Sequence, residues 1–120
     1  MAEAAGGGES SPPFAVQAGA LEVVVSSRGA TYEVRLVGEL DLDTAGLLRD
    51  ELAQVADNGA TLVTLDLADL GFIDSTGLSV LITTLKRLRE KEGDMILRSP
   101  TPATRKVLEI TGLTEVFSIT

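Results

Sequence analysis

The residues of this chain that could do chemistry are limited, because its 120 residues include no histidine and no cysteine. The most suggestive cluster is residues 74–77, Asp-Ser-Thr-Gly, in which Ser75 offers a hydroxyl. A serine nucleophile needs a neighbouring base, most often histidine, to remove its proton near neutral pH. Residue 73 is isoleucine, whereas the nucleophile elbow of serine hydrolases has glycine at that position. The sequence therefore argues against serine hydrolysis, and we expect that the chain is not an enzyme.

Aspartates that gather at the ends of strands could in principle bind Mg²⁺, as in phosphoaspartate receiver domains. The candidates are Asp41, Asp43, Asp66, Asp69 and Asp74. Receiver domains keep a lysine at the end of the last strand, where this chain has Arg-Ser-Pro at residues 98–100. Asp43 and Asp69 are also typical of helix caps and turns. Since no Gly-rich phosphate loop with a lysine is present either, we expect neither a metal nor a cofactor.

The chain is strongly acidic, with a net charge of −8 and a pI near 4.4. Binding to nucleic-acid phosphates or to an anionic membrane requires a concentrated positive patch. The basic cluster at residues 86–91 fits the solvated back of a helix instead. The sequence shows no basic and apolar leader and no apolar run of about eighteen residues. We therefore expect a cytoplasmic protein that binds neither nucleic acid nor membrane.

The beginning of the chain differs in composition from the rest. Residues 1–18 are rich in glycine, serine and proline and show no hydrophobic period. Such a segment cannot bury enough surface to offset the entropy lost on ordering. We predict a flexible tail over residues 1–18 and a single domain over residues 19–120, and we expect the fold to survive deletion of the tail.

The remaining sequence predicts an α/β domain with a mixed sheet. β-Branched runs at residues 21–25 and 32–37 flank a turn at residues 28–30, which predicts an antiparallel hairpin. Strand and helix then alternate, which predicts parallel crossovers with helices covering the sheet. The first predicted helix begins at a cap formed by Asp43 and Thr44 and ends at Asn58-Gly59. The elements predicted after it are a buried strand at 62–67, a helix from Asp74-Ser75 to before Gly93, a strand at 95–97, and a helix from 99–102 to Gly112.

Several motifs are similar to those of a known family. Residues 65–78, preceded by Gly-Glu-Leu-Asp at residues 38–41, resemble the STAS domain family, specifically the bacterial anti-sigma factor antagonists. The resemblance spans about residues 20–120 and includes a late Thr-Gly-Leu at residues 111–113. It implies a STAS-like mixed β-sheet, with an N-terminal hairpin followed by strand and helix alternation.

The resemblance also implies a partner-switching role. In that scheme the unphosphorylated antagonist binds an anti-sigma factor, which is itself a serine kinase, and so frees a sigma factor for transcription. The kinase phosphorylates the serine that follows the aspartate of the motif, here Ser75, and the complex dissociates. A separate serine phosphatase restores the antagonist. On its own, the chain is expected to be a monomer.

Residues around Ser75 are candidates for contact with the partner. The start of a helix has free backbone amides and the positive end of the helix dipole, both of which suit a phosphate. We expect Gly77 to leave room for close approach, and Asp74 and Thr76 flank the serine. Further candidates are Ser79, Val80 and Thr83, on an uncharged face of the same helix, and Glu39, Asp41 and Asp43, which follow the second strand.

Three classes of function stay open at this point. The first is an antagonist regulated by phosphorylation of Ser75. The second is a STAS subunit of a larger assembly, such as a stress-signalling scaffold or a lipid-transport complex. The third is a small enzyme of unknown type. The serine after Asp74 favours the first class over the second, and the lack of histidine and cysteine disfavours the third.

Overall fold

A computed structural model describes residues 10–120 of the chain. The strands are β1 (Ser10–Ala18), β2 (Leu21–Arg28), β3 (Thr31–Leu40), β4 (Leu62–Ile73), β5 (Asp94–Arg98) and β6 (Ser118–Ile119). The helices are α1 (Ala45–Asp57), α2 (Ser75–Glu90) and α3 (Pro102–Ile110), and a 3₁₀ turn follows at Leu113–Glu115. No helix within residues 10–120 combines the length and the apolar character needed to cross a membrane.

The strands form one mixed sheet in the order β1-β2-β3-β4-β5-β6. Strands β1, β2 and β3 pair antiparallel, whereas β3, β4, β5 and β6 run parallel. The turn between β2 and β3 uses Gly29, whose φ of 61° suits a glycine. The predicted hairpin, the strand and helix alternation and the mixed sheet are all confirmed.

The hydrophobic core lies on one face of the sheet, between the strands and the helices. Alternate residues of the central strands, among them Val34, Leu65 and Leu97, are fully buried there. Helix α1 contributes Leu48 and Leu52, and α2 contributes the stripe around Leu81 and Leu85. This period-two burial is expected when a sheet has one covered and one open face. The strand predicted as buried at residues 62–67 is therefore buried on one face only, because residues 62, 64 and 66 are half-buried.

The open face of the sheet carries a row of ion pairs across three strands. Arg98 of β5 contacts Glu33 of β3 and lies 3.1 Å from Asp66 of β4. Arg35 of β3 forms a second ion pair on this face, at 3.2 Å from Asp69 of β4. Burial works to raise the pKa of the Asp66 carboxyl, but the amide of Ala68, 3.0 Å away, and the Arg98 guanidinium together hold that pKa below its usual value.

The predicted flexible tail is wrong for its second half. Residues Ser10–Ala18 form β1 and pair with β2, with a register shift between Ser11 and Phe14. The prediction for residues 1–9 lies outside the described part of the chain. The predicted tail rests on glycine, serine and proline content without a hydrophobic period, but Pro12 and Pro13 are tolerated on an edge strand beside such an irregularity. Deletion up to residue 18 would remove a paired strand from the sheet.

Strands β3 and β4 both extend further than predicted. The predicted strand ends at residue 67, whereas β4 continues to Ile73 and pairs Leu40 with Ile73. Glu39 accordingly belongs to β3 and does not follow it. Gly38 makes this path possible, because a Cβ atom there would lie 1.9 Å from the carbonyl oxygen of Ala20. The two strands therefore bring residues 38–41 and Asp74 to the same edge of the sheet.

Asp66→Asn tests the ion-pair row through its pH dependence. Because folding lowers the pKa of Asp66, its carboxylate stabilises the fold above the ordinary pKa and loses this effect as the pH falls through the folded pKa. At pH 7 we expect the free energy of unfolding of the variant to be about 1 kcal/mol lower than that of the parent. This deficit should shrink below about pH 4. Urea unfolding at pH 3 and at pH 7 measures this difference in the free energy of unfolding.

The matched control is Asp50→Asn, which removes a carboxylate from an ion pair whose side chains are 68% and 67% exposed. Such a change should alter the free energy of unfolding by less than about 0.5 kcal/mol at either pH. A deficit for Asp66→Asn that is the same at pH 3 and pH 7 would contradict the electrostatic assignment.

Candidate functional site

Ser75 is an exposed residue at the first position of α2. The preceding residue, Asp74, is the N-cap and has extended backbone geometry with φ −114°. Its Oδ1 accepts a hydrogen bond of 3.0 Å from the amide of Gly77. This bond satisfies one of the free amides of the first turn, as expected for an aspartate N-cap. The structure thus confirms the predicted helix start and places the serine hydroxyl beside it.

The second carboxylate oxygen of Asp74 contacts another segment of the chain. Its Oδ2 accepts a hydrogen bond of 3.2 Å from the amide of Leu42, in the loop between β3 and α1. The backbone amide of Asp74 donates to the carbonyl oxygen of Leu40, also at 3.2 Å. One aspartate therefore fixes the position of this loop relative to the start of α2.

The loop between β3 and α1 is also ordered by its own side chains. Asp41 Oδ1 accepts hydrogen bonds from the amides of Asp43 (3.0 Å) and Thr44 (3.1 Å). Thr44 is buried, with an exposed fraction of 2%. Its hydroxyl accepts a hydrogen bond from the amide of Asp41 and donates one to the carbonyl oxygen of Glu39, both at 2.9 Å. The side chain of Thr44 thus stabilises the loop and does not cap α1, which corrects the predicted capping role of Asp43 and Thr44.

The acidic candidates are brought together at this edge of the sheet. Glu39 and Asp43 are exposed, whereas Asp41 is half-buried by its role in the loop. Hydrogen bonds join the same loop to Asp74. We expect the exposed pair to be free for contacts with another protein, and Asp41 to act mainly by shaping the loop.

The candidate residues of α2 line a groove between α1 and α2. The groove has a volume of about 240 Å³ and contains Thr76, Ser79, Val80 and Thr83. The Ser79 hydroxyl donates to the carbonyl oxygen of Ser75 at 3.0 Å. Such a bond to the preceding turn satisfies this hydroxyl within the helix. The surface of the groove is mostly apolar.

The residues that α1 contributes to this groove are not among the site residues predicted from the sequence. Arg49, Leu52 and Ala53 lie on the α1 side, and Arg87 of α2 contacts Asp57 of α1. The sequence predicts solvated helix surface for Arg87 and predicts no role for Arg49. The sequence signal for this groove is the uncharged stripe of α2, which is unusual on an exposed helix and indicates that a neighbouring helix lies beside it.

Gly77 has a different role from the predicted one. It is buried, and a Cβ atom there would lie 2.6 Å from Cγ of Leu40 and 3.1 Å from Cγ1 of Ile73. The absence of a side chain therefore lets α2 pack closely on the ends of β3 and β4. Gly77 is part of the internal packing and not of the exposed surface around Ser75.

The carboxylates considered for a magnesium site do not gather. Asp66 and Asp69 bind arginines on the open face of the sheet, whereas Asp41 and Asp74 accept backbone amides at its edge. Within residues 10–120 there is no group of three acidic side chains arranged to hold a metal ion. The geometry around Ser75 presents a hydroxyl, free helix amides and an acidic loop, which is an arrangement suited to modification and recognition.

Comparison with known proteins agrees with this geometry. The family model described as the STAS domain matches residues 22–120. The chain belongs to the STAS domain family. The resemblance stated from residues 38–41, 65–78 and 111–113 is thereby confirmed.

The STAS relatives include anti-sigma factor antagonists. The anti-sigma-B factor antagonist of Bacillus subtilis is 31% identical over 99 residues, which are 82% of this chain and 90% of that protein. An anti-sigma factor antagonist from Mycobacterium paratuberculosis has a crystal structure with a TM-score of 0.76, 28% identity and coverage of 82% of this chain and 84% of that one. The phosphorylated form of the Bacillus cell fate determinant SpoIIAA is 24% identical, with a TM-score of 0.62 over 91% of each chain, and shares the fold.

Gly77→Ala tests the packing role of this glycine. Leu40 is fully buried, so it cannot move aside from a new methyl group, and overpacking of this kind costs about 1–3 kcal/mol. We expect a corresponding loss in the free energy of unfolding, measured by urea denaturation.

Gly46→Ala in α1 is the matched control for this substitution. The nearest atom to its Cβ position is Nη2 of Arg49 at 3.6 Å, an ordinary contact. That variant should gain about 0.4–1 kcal/mol, because alanine restricts the unfolded chain and favours helix. If both variants gained stability, the close approach of α2 to Leu40 would be wrong.

Proposed function

We propose that this STAS protein is an anti-sigma factor antagonist that binds an anti-sigma factor serine kinase and is released when the kinase phosphorylates Ser75. The observation that carries the proposal is the exposed hydroxyl of Ser75 at the first position of α2, between the acidic loop and the α1/α2 groove. The likeness to the anti-sigma-B factor antagonist of Bacillus subtilis supports the choice of partner.

The position of Ser75 suits a kinase substrate. A kinase must bring the terminal phosphate of ATP in line with the attacking hydroxyl, and an exposed side chain at the end of a rigid helix allows that approach. The neighbouring Glu39 and Asp43 are exposed and offer charges that basic residues of the kinase can pair with. Such pairs mainly speed association and orient the partner.

Phosphate on Ser75 is compatible with the fold of this domain. A dianionic group at a helix N-terminus is stabilised by about 0.3–1 kcal/mol through the dipole and the free amides. The carboxylate of Asp74 already occupies the Gly77 amide, and its repulsion of the phosphate opposes part of this gain. We therefore expect the modified domain to remain folded. SpoIIAA, a protein of the same fold, exists in a phosphorylated form.

The same phosphate disfavours the complex. It adds up to about two negative charges, and in the complex these charges would face the phosphates of the nucleotide that the kinase has just used. Burying a charge without a partner costs several kcal/mol. A loss of about 4 kcal/mol weakens binding nearly a thousandfold. A serine phosphatase that removes the group completes the cycle, which would take place in the cytoplasm where sigma factors act.

Substitution of Ser75 tests the switch. Ser75→Ala should bind the kinase with the affinity of the parent chain and should not be released by ATP. Ser75→Asp places a negative charge at the helix start and should bind at least about 100-fold more weakly, because that charge is desolvated without a partner. Isothermal titration calorimetry measures both affinities, and thermal unfolding measures stability. Mass spectrometry after incubation with kinase and ATP should find phosphate on Ser75.

Ser118→Asp is the control for an added charge elsewhere, because Ser118 is exposed in the edge strand β6. It should bind as the parent does. The proposed switch is wrong if Ser75→Asp binds as tightly as the parent, or if it loses binding only because it has unfolded. Phosphate found on another residue while Ser75 stays unmodified would also reject it.

A further inference from the structure

Leu42 is an apolar residue held in an exposed position. It lies in the loop between β3 and α1, and its exposed fraction is 75%. An exposed leucine by itself is ordinary on a protein surface. This leucine is unusual because its backbone is fixed by the aspartate that caps the helix of Ser75.

The loop around Leu42 is ordered by hydrogen bonds at four consecutive amides. The amide of Asp41 donates to the Thr44 hydroxyl, that of Leu42 to Asp74, and those of Asp43 and Thr44 to Asp41. A loop restrained in this way loses little conformational entropy when it binds another molecule. The side chain of Leu42 is therefore presented in advance of binding.

The surroundings of Leu42 combine apolar surface with negative charge. Asp41 and Asp43 flank it in the chain, and Glu39 precedes them at the end of β3. Phe72, which is 49% exposed, pairs with Glu39 across the two strands. Two large apolar side chains thus lie among carboxylates beside the start of α2.

We propose that Leu42 is an anchor residue that inserts into an apolar pocket, rimmed by arginine or lysine, on the anti-sigma factor kinase. This inference rests on the proposed function and names the contact that places Ser75 at the kinase. Leucine supplies the apolar area, and Glu39 and Asp43 supply the charges that a basic rim would pair with. Asp74 is a positioning residue, since one carboxylate holds both the anchor and the helix start.

A second copy of this chain does not suit the same surface. A twofold contact would bring the same patch of each copy together, and so the carboxylates of Glu39 and Asp43 would face their own equivalents. Like charges brought together in an interface are unfavourable. A partner with the opposite charge is favoured, and the net charge of −8 of this chain points the same way.

Leu42→Ala tests the anchor in calorimetric titrations with the anti-sigma factor kinase that binds the parent chain. We expect binding about 10- to 100-fold weaker, because the variant loses the burial of a leucine side chain. Thermal unfolding should be unchanged, since the side chain is exposed. Ile110→Ala is the matched control, because Ile110 is 74% exposed at the far end of α3. It should bind within about twofold of the parent.

Asp43→Asn tests the basic rim, since the Asp43 carboxylate accepts none of the four loop hydrogen bonds. It should slow association at low salt and have less effect at high salt. The inference is overturned if Leu42→Ala binds within twofold of the parent while Ser75→Asp does not, a result that leaves the proposed function intact. It is also overturned if Leu42→Ala dissociates a dimer of the parent. If the parent binds no such kinase, the proposed function fails and the anchor fails with it.

Discussion

The carboxylate of Asp74 is the interaction on which the arrangement of the site depends. One oxygen begins α2 by accepting the amide of Gly77, and the other holds the amide of Leu42. Without the first bond the helix would lose its cap, and without the second the acidic loop would lose its link to the helix. The site therefore consists of two segments that are distant in sequence and act as one surface because a single side chain contacts both.

Close packing makes this bridge possible. Helix α2 can approach the ends of β3 and β4 only because Gly77 has no side chain facing Leu40. The path of β3 in turn requires Gly38, which passes against the carbonyl oxygen of Ala20. Two glycines thus fix the distance between the strand ends and the start of α2. At that distance the carboxylate of Asp74 can bond to the loop between β3 and α1. The serine hydroxyl itself is exposed and takes no part in the packing.

Much of the fold could be predicted from the sequence, because the signals are local. The start at Asp74-Ser75 and the predicted end before Gly93 placed α2 close to its observed span, Ser75–Glu90. Edge strand β1 was missed because its prolines and small residues carry no hydrophobic period, and pairing with β2 supplies what the sequence lacks. The length of β4 was missed because Asp69 is typical of a turn, although Arg35 of the neighbouring strand β3 pairs with it. Ser75 could be identified from its motif, whereas Leu42 could not, since its significance lies in a contact 32 residues away.

The open face of the sheet has a consequence for how this protein can be handled. Its half-buried residues, such as Thr64, point away from the helices, so a dye, a tether or a solid support attached there would leave α2 uncovered. Because the chain contains no cysteine, a single cysteine introduced at position 64 would be the only thiol in the molecule. The protein is thus suited to oriented immobilisation, in which each molecule on a sensor surface would present its serine to the solution in the same way.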